Sequence, residues 1–236
     1  MNDAPDGATR LDANHPGRSG PPLTSLSLLC IGLLFGGIAI GVGMGGVMPL
    51  PYGPASAVAA YVRAQPAAVR VIAVATFASS VPLAIYAAMA GARLRQLGAS
   101  AAAATIALTG GILAAGALAL AGLLGWTMSW PEVNADTALV RALYLLVFLT
   151  GGPGHIVALG LLVAAMTAPG ATRGVLPGPV ARIGLATAVL AESVVAVLIW
   201  PALGVILPIA RVSVLTWLVA AAVAITRAAQ RDSSVR

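Results

Sequence analysis

The sequence predicts an all-α fold: a polytopic membrane bundle of about six transmembrane helices with both termini cytoplasmic. Of its 236 residues, 59% are hydrophobic and only 8% are charged, and the mean hydropathy is +0.97. Soluble domains are far more polar than this. Apolar stretches recur along nearly the whole chain, and each is long enough to cross a hydrocarbon layer about 30 Å thick as a helix.

Hydropathy divides the apolar part into six spans. A transmembrane barrel is not expected, because its strands would alternate apolar and polar residues, whereas these runs are continuous. The Trp200-Pro201 and Leu207-Pro208 pairs indicate a tight hairpin between the last two spans. The predicted spans are 24–48, 68–91, 100–126, 138–168, 183–203 and 208–228.

The distribution of arginines predicts the orientation. All 13 basic residues are Arg, and segments facing the cytoplasm usually carry the excess. With both termini cytoplasmic, nine lie inside and four outside, which favours this orientation in a bacterial-type inner (plasma) membrane. The inside set is Arg10, Arg18, Arg93, Arg95, Arg173, Arg182, Arg227, Arg231 and Arg236, and the outside set is Arg63, Arg70, Arg141 and Arg211.

The polar ends of the chain are predicted to be tails. Residues 1–23 are rich in Asp, Pro and Gly and predict a disordered cytoplasmic segment. Residues 24–228 form the transmembrane domain, and residues 229–236 form a cytoplasmic C-terminal tail. The bilayer is therefore the expected partner, with a homo-oligomer or a membrane complex as further candidates. Scattered arginines do not form the basic groove that nucleic acid requires.

Two connections between spans carry helix signals. The segment 55–65 follows a Pro/Gly-rich turn and predicts a short interfacial helix. Ser129 and Glu132 have capping-box spacing, and Asp136 is placed to cap the fourth span.

His155 and Glu192 are the principal candidate site residues. Each lies near the middle of an apolar span, where an ionisable group is costly and is a functional hypothesis by default. Because adjacent spans run antiparallel, the two residues are expected within about one helical turn of each other in depth. A His–Glu pair serves a proton relay, a cation site or a structural lock equally well, and the spacing does not decide among them.

The segment before His155 predicts a break in the fourth span. It consists of Gly151, Gly152, Pro153 and Gly154, and proline removes a backbone donor while glycine adds freedom. Irregular backbone at membrane depth is tolerated only where protein or a water-filled cavity covers it. We therefore expect the break inside the bundle. The Gly37-xxx-Gly41-xxx-Gly45 pattern of the first span predicts close helix packing.

Arg211 and Arg141 are the other buried polar candidates. Both lie near the outer ends of their spans, and we expect them to extend towards the surface along their own helices or to pair with Asp136 or Glu132. A contact between Arg211 and Glu192 is not expected, since about eight residues, or roughly 12 Å, separate their depths.

The sequence contains no recognisable enzyme signature. HExxH, Gly-x-Ser-x-Gly and Walker-type patterns are missing, and no catalytic residue is predicted. Cys30 is the single cysteine, so neither a disulfide within the chain nor a cysteine-based metal site is expected. No metal and no cofactor are predicted, and a haem held by two histidines is excluded because His155 is the only histidine in the spans.

Three short motifs resemble a group of uncharacterised bacterial six-span membrane proteins that form a domain of unknown function. The likeness covers about residues 24–228. It implies six spans but no activity and no catalytic residues. The motifs are Ala92-Arg93-Leu94-Arg95-Gln96-Leu97, then Leu176-Pro177-Gly178-Pro179-Val180-Ala181-Arg182-Ile183-Gly184-Leu185, and finally Pro208-Ile209-Ala210-Arg211 with Trp217-Leu218.

These observations leave three functional hypotheses. The first is a non-enzymatic inner-membrane protein in which His155 and Glu192 form an internal polar lock. The second is a small secondary transporter or proton-coupled permease that uses the Gly151–Gly154 break. The third is an accessory subunit of a membrane complex.

Overall fold

The structure is a computed structural model that describes residues 22–172 and 176–234. Within those ranges every regular element is helical. The elements are α1 (Leu23–Gly45), α2 (Ala55–Ala64), α3 (Pro66–Gln96), α4 (Ala101–Met128), α5 (Pro131–Asn134), α6 (Thr137–Leu149), a π-helical turn (Thr150–Gly154), α7 (His155–Thr172), α8 (Gly178–Ser193), 3-10 turns at Val194–Leu198 and Pro201–Val205, and α9 (Ile206–Ser234).

Six of these helices are long and apolar enough to cross a membrane, which confirms the predicted all-α bundle of about six spans; the cytoplasmic location of both termini stays a prediction. They are Leu23–Gly45, Pro66–Gln96, Ala101–Met128, Thr137–Ala168, Gly178–Leu198 and Pro201–Arg227. The fourth combines α6, the π-helical turn and most of α7.

The last two spans differ from the predicted bounds. The fifth begins and ends five residues earlier than 183–203, because Pro177 precedes its first turn and the chain reverses at Trp200. Pro208 does not end a helix. It lies in the first turn of α9, where no backbone donor is required.

Some predictions concern residues outside the described ranges. They include most of the N-terminal tail and the arginines Arg10, Arg18, Arg173 and Arg236. At the other end, α9 continues to Ser234, so most of the predicted C-terminal tail is helical.

The six spans form a closed ring. Each span packs against the next one along the chain, and α9 returns to pack against α1. Six crossings bring residues 22 and 234 to one end of the bundle, here called the terminal end. The opposite end, called the distal end, carries residues 46–65, 129–136 and 199–205.

Glycine allows the spans to approach closely. A Cβ atom on Gly37 would overlap Ala75 of α3, and one on Gly41 would overlap Ile72. The side chains of α3 therefore pack directly on the glycine backbone of α1, along the predicted glycine line. The same principle joins α4 to α3, where a Cβ on Gly122 would lie 2.7 Å from the Phe77 nitrogen.

The distal connections are partly as predicted. The helix over residues 55–64 is present as α2, and Asp136 caps α6 by accepting hydrogen bonds from the nitrogens of Ala138 and Leu139 at 2.8 and 3.1 Å. The capping box is wrong. Ser129 instead donates to the carbonyl of Trp126 at 2.7 Å, so the short helix α5 has no side-chain cap.

Candidate functional site

The irregular turn of the fourth span is the starting point of the site. Thr150–Gly154 is π-helical, between regular α-helix on either side. Pro153 has no N–H to donate to the preceding turn, and the wider π turn accommodates this without ending the span. Gly152 and Pro153 are buried, as expected for irregular backbone at this depth.

His155 follows directly after the π-helical turn and is 0% exposed. Its Nδ1 lies 2.9 Å from the carbonyl oxygen of Ala114 in α4. Since a carbonyl only accepts, Nδ1 carries the proton in this arrangement and Nε2 is an acceptor. Nε2 is buried and has no hydrogen-bond partner among the described residues. The imidazole therefore keeps one free acceptor inside the bundle.

Arg211 reaches the same turn from the sixth span. Its Nη2 donates to the carbonyl oxygen of Gly151, so the side chain points into the bundle and does not extend towards the surface along α9. A buried guanidinium in an apolar interior requires acceptors, and the Gly151 carbonyl is one of them. The Nε atom is buried without a partner in the described part of the chain.

A cavity lies against the Arg211 side chain in the distal half of the bundle. Its volume is about 480 Å³, and residues of the first, second, third, fourth and sixth spans line it. Arg211 is the one charged residue among the described lining residues; Thr76 and Tyr144 are polar, and the rest are apolar or glycine. The volume falls within the range of about 300–1,000 Å³ that is typical of small-molecule sites.

The connection between α1 and α2 contacts two residues of the cavity wall. Tyr144, a lining residue, donates to the carbonyl of Pro49 at 2.6 Å. The ring of Phe148, also in the lining, meets Tyr52 edge-on with 5.2 Å between ring centroids. The connection is thus held against two residues of the cavity wall.

Arg141 fixes the same connection. Its Nη1 donates to the carbonyl of Gly53 at 2.9 Å. Extension towards the surface or pairing with Asp136 or Glu132 was predicted for Arg141, and within the described ranges no ion pair joins it to either carboxylate. The sequence did not show this role, because the partner of Arg141 is a backbone carbonyl and not an acidic side chain that the sequence would reveal.

Glu192 lies elsewhere in the bundle. Its Oε1 is buried and lacks a hydrogen-bond partner among the described residues. The carboxylate rests on Gly160 of α7, where a Cβ would lie 2.7 Å from Oε1. Gly160 follows His155 by five residues, which is about 7.5 Å along a helix.

His155 and Glu192 therefore do not form the expected hydrogen-bonded pair. The atoms that would join them, Nε2 and Oε1, are both without a partner in the described structure. The physical reason is lateral packing: the gap above Gly160 admits the Glu192 side chain there, away from His155. A comparison of residue positions along two antiparallel helices gives their depths in the membrane but does not reveal the space above Gly160.

The described residues contain no group of three or more His, Cys, Asp or Glu side chains that is placed to hold a metal ion. Cys30 is a free, buried thiol. The buried side-chain polar atoms that have no hydrogen-bond partner in the described structure belong to Arg211, His155 and Glu192.

The six apolar spans and the polar groups between them define the class: the chain is a multi-pass membrane protein. No protein-family model, curated protein or solved structure matches it. The likeness to bacterial six-span proteins stays a prediction, as does the inner-membrane location.

Proposed function

We propose that this protein binds a small ligand inside the membrane, in the cavity beside the π-helical turn, and that it acts as a small transporter or permease without enzymatic activity. The observation that carries the proposal is the placement of Arg211. A charged side chain with a buried, unpartnered donor lines a cavity of ligand size at membrane depth, and ionisable groups so placed commonly mark substrate pathways.

The backbone at the cavity wall supports transport in particular. Gly151 and Gly152 of the π-helical turn both line the cavity. Interrupted helices at the wall of a central cavity are a recurring feature of secondary transporters, and π turns often occur at functional sites. The glycines give this segment the freedom that a change between open and closed forms would require.

The polar-lock hypothesis loses its main support, because His155 and Glu192 do not hydrogen-bond to each other. The accessory-subunit hypothesis stays a prediction that copurification of a stoichiometric partner would test. Location in a bacterial inner membrane belongs to the same set of proposals.

A cavity-filling variant tests the proposed function. A Cβ on Gly152 would make ordinary contacts of 3.7 and 3.8 Å with the Leu207 side chain, so the first side-chain carbon fits there, and Gly152→Leu adds apolar volume to the cavity wall. A Cβ on Gly116 would meet nothing within 4 Å. Gly116→Leu is therefore a matched control that adds the same side chain elsewhere.

The measurement is a thermal-shift screen of small amphipathic compounds against the protein in lipid nanodiscs. A ligand present at 100 times its Kd stabilises its target by about 2.7 kcal/mol. We expect at least one compound to raise the Tm of the unmodified protein and of Gly116→Leu, but not that of Gly152→Leu. The proposal is overturned when no compound raises the Tm, or when Gly152→Leu responds equally.

A further inference from the structure

We infer that the ligand of this cavity is an amphipathic monoanion, a carboxylate or a phosphate ester on an apolar body, whose anionic group is bound by Arg211. The inference rests on the proposed function and adds the chemical class of the ligand. It follows from three properties of the cavity: its charge, its free donors and its lining.

The charge of the cavity favours an anion. Arg211 is the one charged side chain among the described lining residues, and Glu192 is not part of the lining. Charges interact several times more strongly in a low-dielectric interior than in water. The guanidinium would repel a cationic ligand, and a neutral ligand would leave the charge of Arg211 without a counter-ion. A ligand with one negative charge balances the charge of Arg211.

The donors of Arg211 fit an oxyanion. A guanidinium has five N–H groups in a planar fork that matches carboxylate and phosphate oxygens. In the described structure its hydrogen bond goes to the Gly151 carbonyl, through Nη2, while Nε is buried without a partner. The Gly151 contact holds the guanidinium in place, so donors remain for a ligand at a fixed position.

The lining requires an apolar body. Leu34, Ile72, Leu118 and Phe148 form much of the wall, with contributions from four different spans. A small, fully hydrated anion would lose its water against these side chains at great cost. A ligand that carries an alkyl or aryl group gains from burial in the same space. The wall and the cation together therefore select an amphipathic anion.

The test compares compounds that differ only in the charged group. Octanoate, octanamide and octylamine are added to the protein in nanodiscs of neutral phosphatidylcholine, and Tm and Kd are measured. We expect octanoate to bind about tenfold more tightly than octanamide, because hydrogen bonds to charged groups are the stronger ones. Octylamine should not bind. The Tm shift that each compound causes in Gly152→Leu, whose cavity is filled, gives the contribution of alkyl partition into lipid. This contribution is subtracted from the shift of the unmodified protein.

Variants of Arg211 identify the residue responsible. Arg211→Gln replaces the guanidinium by a shorter, neutral amide and so removes the charge, and it should bind octanoate and octanamide equally. Arg211→Lys keeps the charge and should retain the preference for octanoate. An unchanged octanoate preference in Arg211→Gln overturns the assignment to this residue, whether or not the variant is less stable.

The outcomes separate the two proposals. Equal binding of octanoate and octanamide by the unmodified protein, lost in Gly152→Leu, overturns the anion inference and leaves the binding function standing. Binding of no compound overturns both. Nanodiscs that contain phosphatidylglycerol distinguish the source of the anion. If this lipid raises the Tm of the unmodified protein but not that of Arg211→Gln, the result supports an anionic lipid in the site. If only octanoate raises the Tm, the result supports a free amphipathic acid.

Discussion

The packing of α1 on α3 gives a prediction that can be worked out closely, because two adjacent glycines face different surroundings. A Cβ on Gly37 would overlap the Cβ of Ala75, while a Cβ on Gly36 would meet nothing within 4 Å. Gly37→Ala therefore forces the two helices apart or displaces their contact. Gly36→Ala adds the same methyl group to the same helix without any contact.

The expected cost follows from the overlap. Relieving it requires the α1 and α3 backbones to separate by roughly 1 Å, and overpacking of this kind costs about 1–3 kcal/mol. Gly36→Ala should be neutral or slightly stabilising, since alanine is the better helix former by up to about 1 kcal/mol. Thermal unfolding in nanodiscs, followed by circular dichroism, measures both variants. Equal Tm values for the two variants would refute the close approach of α1 and α3.

Three further predictions concern single polar groups. Tyr86→Phe should destabilise the bundle by about 1 kcal/mol in thermal unfolding, because the buried Tyr86 hydroxyl donates to the Leu218 carbonyl at 3.0 Å; an unchanged Tm would contradict that contact. Asp136→Ala should cost about 1 kcal/mol by loss of the α6 cap, whereas Glu132→Ala, which removes no cap, should cost nothing in the same assay. Glu192→Gln should leave the Tm unchanged, because Glu192 has no hydrogen bond to lose in the described structure; a large drop in Tm would restore the polar-lock hypothesis.

The number of membrane helices could be predicted from the sequence because the requirement for a long apolar segment applies to each helix separately. A helix that crosses the membrane must be apolar over its own span, so six runs predicted six helices without any knowledge of their neighbours. The same holds for Asp136, whose capping partners are its own next residues. The fifth span shows the limit of this reasoning: Pro177 and Trp200 set its ends, and hydropathy alone placed it five residues too late.

The site was less accessible because it depends on lateral packing. Gly160 determines where the Glu192 carboxylate lies. The arrangement of the facing helices is needed to show that this position is away from His155. Arg211 was expected near the surface because its depth was counted along α9 alone. The sequence does contain both partners of this contact, a Gly/Pro segment in the fourth span and Arg211 in the sixth, but it does not show that they face each other.

Thiol labelling tests whether a solute can enter the proposed cavity within the membrane. Cys30 is first replaced by Ala, and Thr76→Cys in the cavity wall is compared with Leu123→Cys, which is 50% exposed on α4 and does not line the cavity. Leu123 is closer to the distal end of the bundle than Thr76, so depth alone would favour its labelling. We expect a small water-soluble maleimide to label Thr76→Cys and to spare Leu123→Cys in intact membranes. Labelling of Leu123→Cys at an equal or higher rate, or no labelling of Thr76→Cys, would contradict the claim.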